Sequence, residues 1–242
     1  MKFFKTVFLF FLVMGFFMFK PEFILAKDLD VDFIPINHAS FIINSAAAII
    51  YIDPVGDVGQ YREYPAPDMI LITHSHQDHL DSKLVNQLKQ ENTLILGPED
   101  VIKQLGFGAV LTNLEQREFK QILVQAVPMY NTTADRLQFH QKAKGNGYII
   151  TLLGKRIYIT GDTEDIPEMR QLKNIDYAFI CMNLPYTMTV EQAASAVLEF
   201  KPKVVFPYHY KGPDGYSDLE GFRALVSVDK SIEVRLENWY KN

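Results

Sequence analysis

The sequence predicts an α/β protein in which helices cover both outer faces of two stacked β-sheets, a four-layer αββα sandwich. Apolar segments with strand character alternate with amphipathic helical segments, and antiparallel hairpin patterns open each half of the chain. Hydrophobic residues make up 48% of the 242 residues, which is enough for a large core. Because no Gly/Ser linker or low-complexity tract divides the remainder, we expect one domain over residues 27–242.

The first half of this domain is predicted to start with three strands and to continue with strands and helices in alternation. The segment 82–90 is helical in pattern because Leu84, Val85 and Leu88 share one face. Pro98 opens a second short helix, since proline is tolerated in a first helical turn. The predicted elements are strands 33–36, 40–43, 48–52 and 69–73, helix 82–90, strand 94–96 and helix 98–105.

The second half is predicted to be rich in strands and to contain one well-marked helix. Gly154 and Lys155 form a compact turn signal, so the strands on either side should make a hairpin. Thr189 and Gln192 form a capping box, and the apolar residues that follow Thr189 recur with the helical period. The predicted strands are 122–127, 148–153, 156–160, 177–182 and 204–206.

The amino-terminal segment, residues 1–26, differs sharply in composition from the rest and is typical of a signal peptide. Lys2 and Lys5 precede an unbroken apolar run at 7–19, and Ala26 offers a small residue for cleavage. The run is shorter than the about 20 residues that a bilayer span needs. We therefore expect an exported protein, periplasmic or secreted. A membrane anchor retained from this segment and a buried helix are the alternatives.

Charge and cysteine content exclude several kinds of function. The chain carries 24 Lys and Arg against 29 Asp and Glu, a net charge of −5, so we expect no nucleic-acid partner. A single cysteine cannot form an internal disulfide or a cysteine-rich zinc site, so a metal site must use histidine and carboxylate. Cys181 itself lies in an apolar strand pattern and is expected to be a small buried residue.

Three of the six histidines fall within six residues, directly after the apolar strand 69–73. Because side chains two residues apart project to the same side of an extended backbone, His74 and His76 can converge on one cation. The side chains of Asp78 and His79 project from the same turn in another direction. Imidazole and carboxylate together suit zinc, and manganese or iron is tolerated. The stretch therefore predicts a metal site in the loop after this strand.

The run from His74 to His79 is a complete HxHxDH motif and resembles that of the metallo-β-lactamase superfamily. The Gly-Asp-Thr run at 161–163 is similar to the later GDT motif of that superfamily, and the segment 208–210 resembles the part that carries its last histidine. The resemblance implies a four-layer αββα sandwich of metallo-β-lactamase type with two metal ions. It assigns His74 and His76 to one ion, Asp78, His79 and His209 to the other, and Asp162 to both.

Two early segments, 37–40 and 51–54, are similar to the opening strands of the lactonase-like branch of that superfamily, which includes ascorbate-6-phosphate lactonases and N-acylphosphatidylethanolamine phospholipases. The resemblance places His38 near the site, where it would touch the ligands rather than the metal; otherwise it is a hydrogen-bonded histidine of the sheet. Asp53 would orient a metal-bound histidine, or would be a turn residue before Pro54.

One expected ligand is absent from its usual place. The superfamily supplies a further histidine to the first ion after a strand like 122–127, but here Asn131 stands near that position and His140 is the only histidine of the interval. Three alternatives follow: His140 binds the first ion; Asn131 or water fills the position; or only one ion is held, because a neutral amide oxygen is a weaker zinc ligand than imidazole.

The resemblance implies a zinc-dependent hydrolase with two ions. A bound cation lowers the pKa of water from about 15.7 towards 7, and Asp78 is then the expected catalytic residue that receives a proton. The substrate is expected to be a small molecule with an ester, lactone or phosphodiester bond. A phosphodiesterase or nuclease of the same fold and a non-catalytic metal-binding or sensing protein are the alternatives.

Overall fold

The computed structural model describes residues 31–240 of the chain, and these form two stacked sheets with helices outside them. The predicted αββα sandwich is thereby confirmed. The segment 1–26, predicted to be a signal peptide or anchor, lies outside the described residues. Within residues 31–240 no helix combines the length and apolar character that crossing a membrane requires.

The first sheet contains six strands that lie side by side in chain order. The first three are antiparallel neighbours, and the third to sixth are parallel. Parallel strands need crossover connections, and α-helices supply the last two of the three here. The strands are β1 (Val31–Asn37), β2 (Ser40–Ser45), β3 (Ile49–Ile52), β4 (Met69–Leu71), β5 (Leu94–Gly97) and β6 (Ala109–Val110).

The second sheet contains seven strands and begins with a four-stranded antiparallel meander. Parallel strands then extend it on the other side. Its members are β7 (Gln116–Phe119), β8 (Ile122–Met129), β9 (Gly145–Leu152), β10 (Lys155–Ile159), β11 (Tyr177–Cys181), β12 (Val204–Tyr208) and β15 (Glu233–Val234). A separate small hairpin is formed by β13 (Lys211–Gly212) and β14 (Gly215–Tyr216).

Helices form the outer layers because each one buries a single apolar face. On the first sheet, Leu84 and Val85 pack into the same buried cluster as Ile70 and Ile72. On the second sheet, the ring of Phe200 lies 6.0 Å from that of Tyr158 in β10. The helices are α1 (Ser82–Leu88), α2 (Glu99–Leu105), α3 (Pro167–Arg170), α4 (Val190–Phe200) and α5 (Leu219–Val226), with a short 3-10 helix at Val58–Tyr61.

Stacked aromatic rings fill the space between the two sheets. Phe41 of β2 lies 4.4 Å from Phe179 of β11, and Phe179 lies 4.9 Å from Phe206 of β12, measured between ring centroids. At one edge, Tyr148 of β9 donates its hydroxyl to the Ile72 carbonyl oxygen at 2.6 Å. The Phe41–Phe179 and Tyr148–Ile72 contacts join the first sheet to the second, so the strand ends of one sheet are fixed in position relative to those of the other.

Several boundaries differ from the predicted ones. Helix α1 ends at Leu88 rather than at residue 90 because Lys89 has an extended backbone (φ −63°, ψ 145°). Strand β4 ends at Leu71 rather than at residue 73, where the chain turns towards the histidines. The predictions missed β6, β7, β13 to β15, α3 and α5. All of these except α5 span four residues or fewer, too few for a clear periodic pattern.

Candidate metal centre

The predicted ligands lie on loops that leave the carboxyl ends of β4, β10 and β12. Strand β4 belongs to the first sheet and the other two are parallel members of the second, so the stacked sheets bring these ends to one edge. Asp53 directly follows β3, the parallel neighbour of β4. The sandwich thus gathers residues that are far apart in the sequence.

A first group of ligand atoms comes from His74, His76 and His140. Nε2 of His74 lies 3.0 Å from Nδ1 of His76. His140 joins them, and one ligand nitrogen from each of the three rings lies within 4.8 Å of the others. Nε2 of His140 is buried and has no hydrogen-bond partner among the described residues. Three imidazole nitrogens of this kind fit one face of a tetrahedral zinc site.

A second group contains Asp78, His79, His209 and Asp162. Nε2 of His79 lies 3.0 Å from Nε2 of His209, and Oδ2 of Asp78 lies 3.8 Å from the former and 3.5 Å from the latter. Ligand atoms bound at about 2.1 Å in a tetrahedron are about 3.4 Å apart. The donor set therefore fits a second ion of the same kind.

Asp162 lies between the two groups. Its Oδ2 is 3.4 Å from Nε2 of His140 and 3.3 Å from Nε2 of His209. Its Oδ1 is 3.5 Å from Nε2 of His79 and has no hydrogen bond within residues 31–240, although it is buried. Buried carboxylate oxygens need a partner, so this position suits a ligand shared by two cations.

Asp53 is hydrogen-bonded to His79, one of the predicted ligands. Nδ1 of His79 donates to Oδ2 of Asp53 at 2.7 Å, and both side chains are fully buried. Asp53 also accepts the backbone N–H of Thr73 at 2.7 Å and its hydroxyl at 2.6 Å. A neutral His79 that keeps its proton on Nδ1 has a free lone pair on Nε2, which is the form that binds a metal.

His38 contacts the ligands from the side of the first sheet. Its Nε2 lies 3.3 Å from Oδ2 of Asp78, and its ring centroid lies 3.8 Å from that of His209. Nδ1 of His38 lies 2.7 Å from the hydroxyl of Tyr240. His38 therefore lies beside two predicted ligands, and its Nε2 is close enough to join Asp78 and His209 as a possible ligand group.

Three residues of the site have a left-handed backbone. The φ angles of His38, Asp53 and His209 are 56°, 43° and 47°. Residues other than glycine adopt this region at a cost of order 1 to 3 kcal/mol each, and such residues concentrate at functional sites. The fold holds these side chains in place against that local preference.

Burial and charge shift the pKa values of the clustered groups in opposite directions. Burial lowers the pKa of His74 well below its usual value. Burial raises the pKa of Asp78, but hydrogen bonds from His209 and His38 bring it far below its usual range. Burial also opposes ionisation of Asp162, but the charges of His209 and His79 and the hydrogen bonds from His140 and His209 together hold the pKa of Asp162 well below its usual value. Both carboxylates are thus held ionised, the state that binds a cation.

Asn131 and His140, the alternatives for the missing ligand, occupy different places. Nε2 of His140 lies in the first group, whereas Nδ2 of Asn131 donates to the carbonyl oxygens of Arg136 at 2.9 Å and Tyr186 at 2.7 Å. Oδ1 of Asn131 is buried without a hydrogen-bond partner among the described residues. The geometry favours His140 as the metal ligand and Asn131 as a residue that fixes the loop.

A cavity of about 300 Å³ opens onto the site. The side chain of Asp78 is 47% exposed there, whereas those of His79 and His209 are fully buried. Sequence reasoning missed Phe139, whose ring lies 5.0 Å from that of Tyr186, because no local pattern marks a single loop aromatic. The cavity is lined by His76, Asp78, Phe139, His140, Asp162, Asn183 and Tyr186.

Comparisons with known proteins identify the family of the chain. The β-lactamase superfamily domain matches residues 34–209. A UPF0173 metal-dependent hydrolase of Pyrococcus abyssi is 30% identical over 215 residues, which cover 82% of this chain and 93% of that protein.

Two solved structures with a similar fold are also described as metal-dependent or metallo hydrolases. A crystal structure described as a metal-dependent hydrolase from Parabacteroides distasonis is 39% identical, with a TM-score of 0.78, and the match covers 88% of this chain and all of that one. The metallo hydrolase Igni18 of Ignicoccus hospitalis shares the fold at 22% identity and a TM-score of 0.73, over 87% of this chain and 96% of that one. The chain therefore belongs to the β-lactamase superfamily, among its metal-dependent hydrolases.

Proposed function

We propose that this protein hydrolyses an ester or lactone bond of a small uncharged substrate and that it uses two metal ions, preferably zinc. The observation that carries the proposal is that Asp78 and His76 face the cavity, whereas His74, His79, His140, Asp162 and His209 are buried. A ligand group that faces a cavity leaves a side of the site open to water and substrate, whereas a structural metal site is closed. Manganese and iron are the other metals that this donor set accepts.

The chain's own residues have separate roles in this reaction. When bound, the ions supply an acidified water molecule and a Lewis acid for the substrate oxygen. Asp78 is ionised and faces the cavity, so it orients the attacking water and receives its proton. Asp53 keeps the Nδ1 proton of His79 in place, and the buried ligands exclude bulk water from the other side. Asp78 is the catalytic residue in this account.

The cavity favours an uncharged substrate over a phosphodiester. Within the described part of the chain, no lysine or arginine lines it. Arg136 is turned away to pair with Glu164 at 2.8 Å, and Lys144 pairs with Asp100 at 3.5 Å. Phosphate recognition normally uses such cations. We therefore prefer an ester or lactone to a phosphodiester, and a lactonase-like activity to a nuclease.

Polar and aromatic groups on the cavity wall suit a small acyl compound. Oδ1 of Asn183 accepts the hydroxyl of Thr187 at 2.6 Å, so its amide nitrogen is left as the donor for substrate. Phe139 and Tyr186 supply two aromatic faces, and a volume of about 300 Å³ is at the small end of ligand cavities. A substrate about the size of a simple lactone fits this description.

The test is a panel of three substrates with the purified full-length chain loaded with zinc: a γ-lactone, p-nitrophenyl acetate and bis(p-nitrophenyl) phosphate. We expect kcat/KM for the phosphodiester to be at least tenfold below that for the better of the other two. Asp78→Asn should lower kcat by about a hundredfold or more, whereas Asp135→Asn, an exposed acid on a nearby loop, should not change it.

Two results would decide against the proposal. A preference for the phosphodiester would identify a phosphodiesterase. Two bound metals without hydrolysis of any substrate in an extended ester and lactone panel would favour a non-catalytic metal-binding or sensing protein.

We also propose that the segment 1–26 directs export, which would place the reaction outside the cytoplasm. Its basic start and short apolar run support this proposal. Cell fractionation with an intact-mass measurement tests it. Mature protein beginning near residue 27 in an exported fraction is the expected result. Full-length protein in the membrane would indicate an anchor, and full-length protein in the cytoplasm would contradict export.

A further inference from the structure

His140 reaches the site from a loop without regular secondary structure. The loop runs from the end of β8 at Met129 to the start of β9 at Gly145. Irregular loops of this length are uncommon in compact domains and have a high conformational entropy. A metal ligand must nevertheless be held within about 0.5 Å. Other residues must therefore fix this loop in one arrangement.

Glu164 provides a buried anchor for the loop. It lies two residues after Asp162, and its side chain is fully buried. Oε2 of Glu164 accepts the backbone N–H groups of Thr132 and Thr133, both at 2.6 Å, and the hydroxyl of Thr132 at 3.1 Å. Oε1 accepts Nη1 of Arg136 at 2.8 Å. Four hydrogen bonds from three residues of the loop thus end on one carboxylate.

Arg136 and Asn131 extend this anchor to a second loop. Nη1 of Arg136 also donates to the carbonyl oxygen of Thr187 at 2.9 Å. The backbone N–H of Asn131 donates to the carbonyl oxygen of His140 at 2.8 Å, so the two ends of the loop meet. Nδ1 of His140 lies 3.2 Å from the carbonyl oxygen of Tyr186. That contact turns Nε2 of the same ring towards the metal ligands.

We propose that the Glu164–Arg136 ion pair is a positioning element that holds Nε2 of His140 at the first metal ion. The inference rests on the two-ion site of the proposed function. If the loop moved away, the buried carboxylate of Glu164 would lose its partners, and an unpaired buried charge is strongly disfavoured. Because Glu164 and Asp162 lie on one short segment, the Glu164–Arg136 ion pair also sets the distance between His140 and the carboxylate of Asp162.

The same loop carries a wall of the substrate cavity. Phe139 precedes His140 and packs against Tyr186, which lies on the second loop that Arg136 contacts through Thr187. The ion pair therefore fixes a metal ligand and a cavity wall together. Loosening it should weaken metal binding at the first group and leave the second group, which Asp53 and His38 support, nearly unchanged.

The test uses Glu164→Gln, Arg136→Met and Arg136→Lys in the full-length chain. Glu164→Gln removes the buried charge, Arg136→Met keeps the side-chain length without the cation, and Arg136→Lys keeps the charge. Glu199→Gln removes a similar carboxylate from an exposed pair with Arg170 and is the matched control. His140→Ala shows how the metal affinities change when the ligand itself is removed. Circular dichroism checks that each variant is folded. If Glu164→Gln does not fold, the test relies on Arg136→Met.

Two measurements are made. Cobalt(II) titration gives the affinity of each metal equivalent, and amide exchange in the metal-free protein gives the protection of the Asn131 N–H. Glu164→Gln and Arg136→Met should lower the affinity for one cobalt equivalent by tenfold or more and leave the affinity for the other unchanged. Both variants should also speed exchange of the Asn131 N–H by tenfold or more. Arg136→Lys and Glu199→Gln should resemble the wild type.

The outcomes separate the two proposals. Wild-type affinity for both equivalents in these variants, with unchanged Asn131 protection, would overturn the positioning role and leave the two-ion hydrolase standing. Fewer than two equivalents in the wild type would instead contradict the two-ion site. In that case, Asn131 exchange still decides whether the ion pair holds the loop.

Discussion

The Nδ1 atom of His79 donates a hydrogen bond to Oδ2 of Asp53 at 2.7 Å, and both side chains are fully buried. A buried carboxylate in this position fixes the ring orientation and raises the basicity of the nitrogen that faces the metal. We predict that Asp53→Asn lowers metal affinity by about 10-fold to 100-fold. Metal titration checks this, with the exposed Asp32→Asn as control. Equal affinity in the two variants would show that Asp53 is only structural.

Gly161 precedes Asp162 in the GDT turn, with φ of +59°. A Cβ there would lie 2.5 Å from Sδ of Met129 and 3.1 Å from the carbonyl oxygen of Asn146. We predict that Gly161→Ala lowers the free energy of unfolding by about 1 to 3 kcal/mol through strain and crowding. Gly154→Ala is the control, because Gly154 has a similar φ of +72° and nothing within 4 Å. Urea unfolding should show the larger loss at Gly161, and equal losses would exclude crowding.

Glu164 gives the protein a predictable sensitivity to acid. Burial raises its pKa, but hydrogen bonds from Thr133 and Thr132 outweigh that effect and bring the pKa below the usual 4.5. A lowered folded-state pKa adds stability that is present above the unfolded value and lost as the pH falls through the folded value. Unfolding free energy should thus fall below about pH 4.5, and Glu164→Gln should reduce the slope there. An unchanged slope in that variant would contradict this role.

Cys181 should be inert in the native protein. It is fully buried at the end of β11, and burial raises the pKa of its thiol to about 12. A thiolate is the reactive form, so we predict no reaction with Ellman's reagent at pH 8 before unfolding. One equivalent of thiol should appear in concentrated guanidinium. Rapid reaction in the native state would mean that β11 opens on the same timescale.

The sequence was most informative where chemistry and local pattern coincide. The run from His74 to His79 follows an apolar strand, and that spacing alone places two imidazoles on one side of the backbone. Thr189 and Gln192 form the predicted capping box of α4. Cys181 was expected to be a small buried strand residue, and the structure confirms it. In each case the signal lies within a few residues.

The rest depended on contacts between distant segments. His140 lies nine residues beyond Asn131; Arg136 of the loop between them pairs with Glu164, and the ring of His140 contacts the carbonyl oxygen of Tyr186. The role of Arg136 could not be inferred either, because an arginine in a polar loop is usually a solvated charge. Tertiary hydrogen bonds of this kind leave no periodic pattern in the sequence.

In the proposed site, two ions are held by two adjacent ligand groups joined by Asp162. An anomalous difference map at the zinc edge, from crystals of the protein grown with zinc, tests this arrangement. We expect two peaks, one within coordination distance of His74, His76 and His140 and one within that of Asp78, His79 and His209. A single peak, or peaks elsewhere on the molecule, would contradict it.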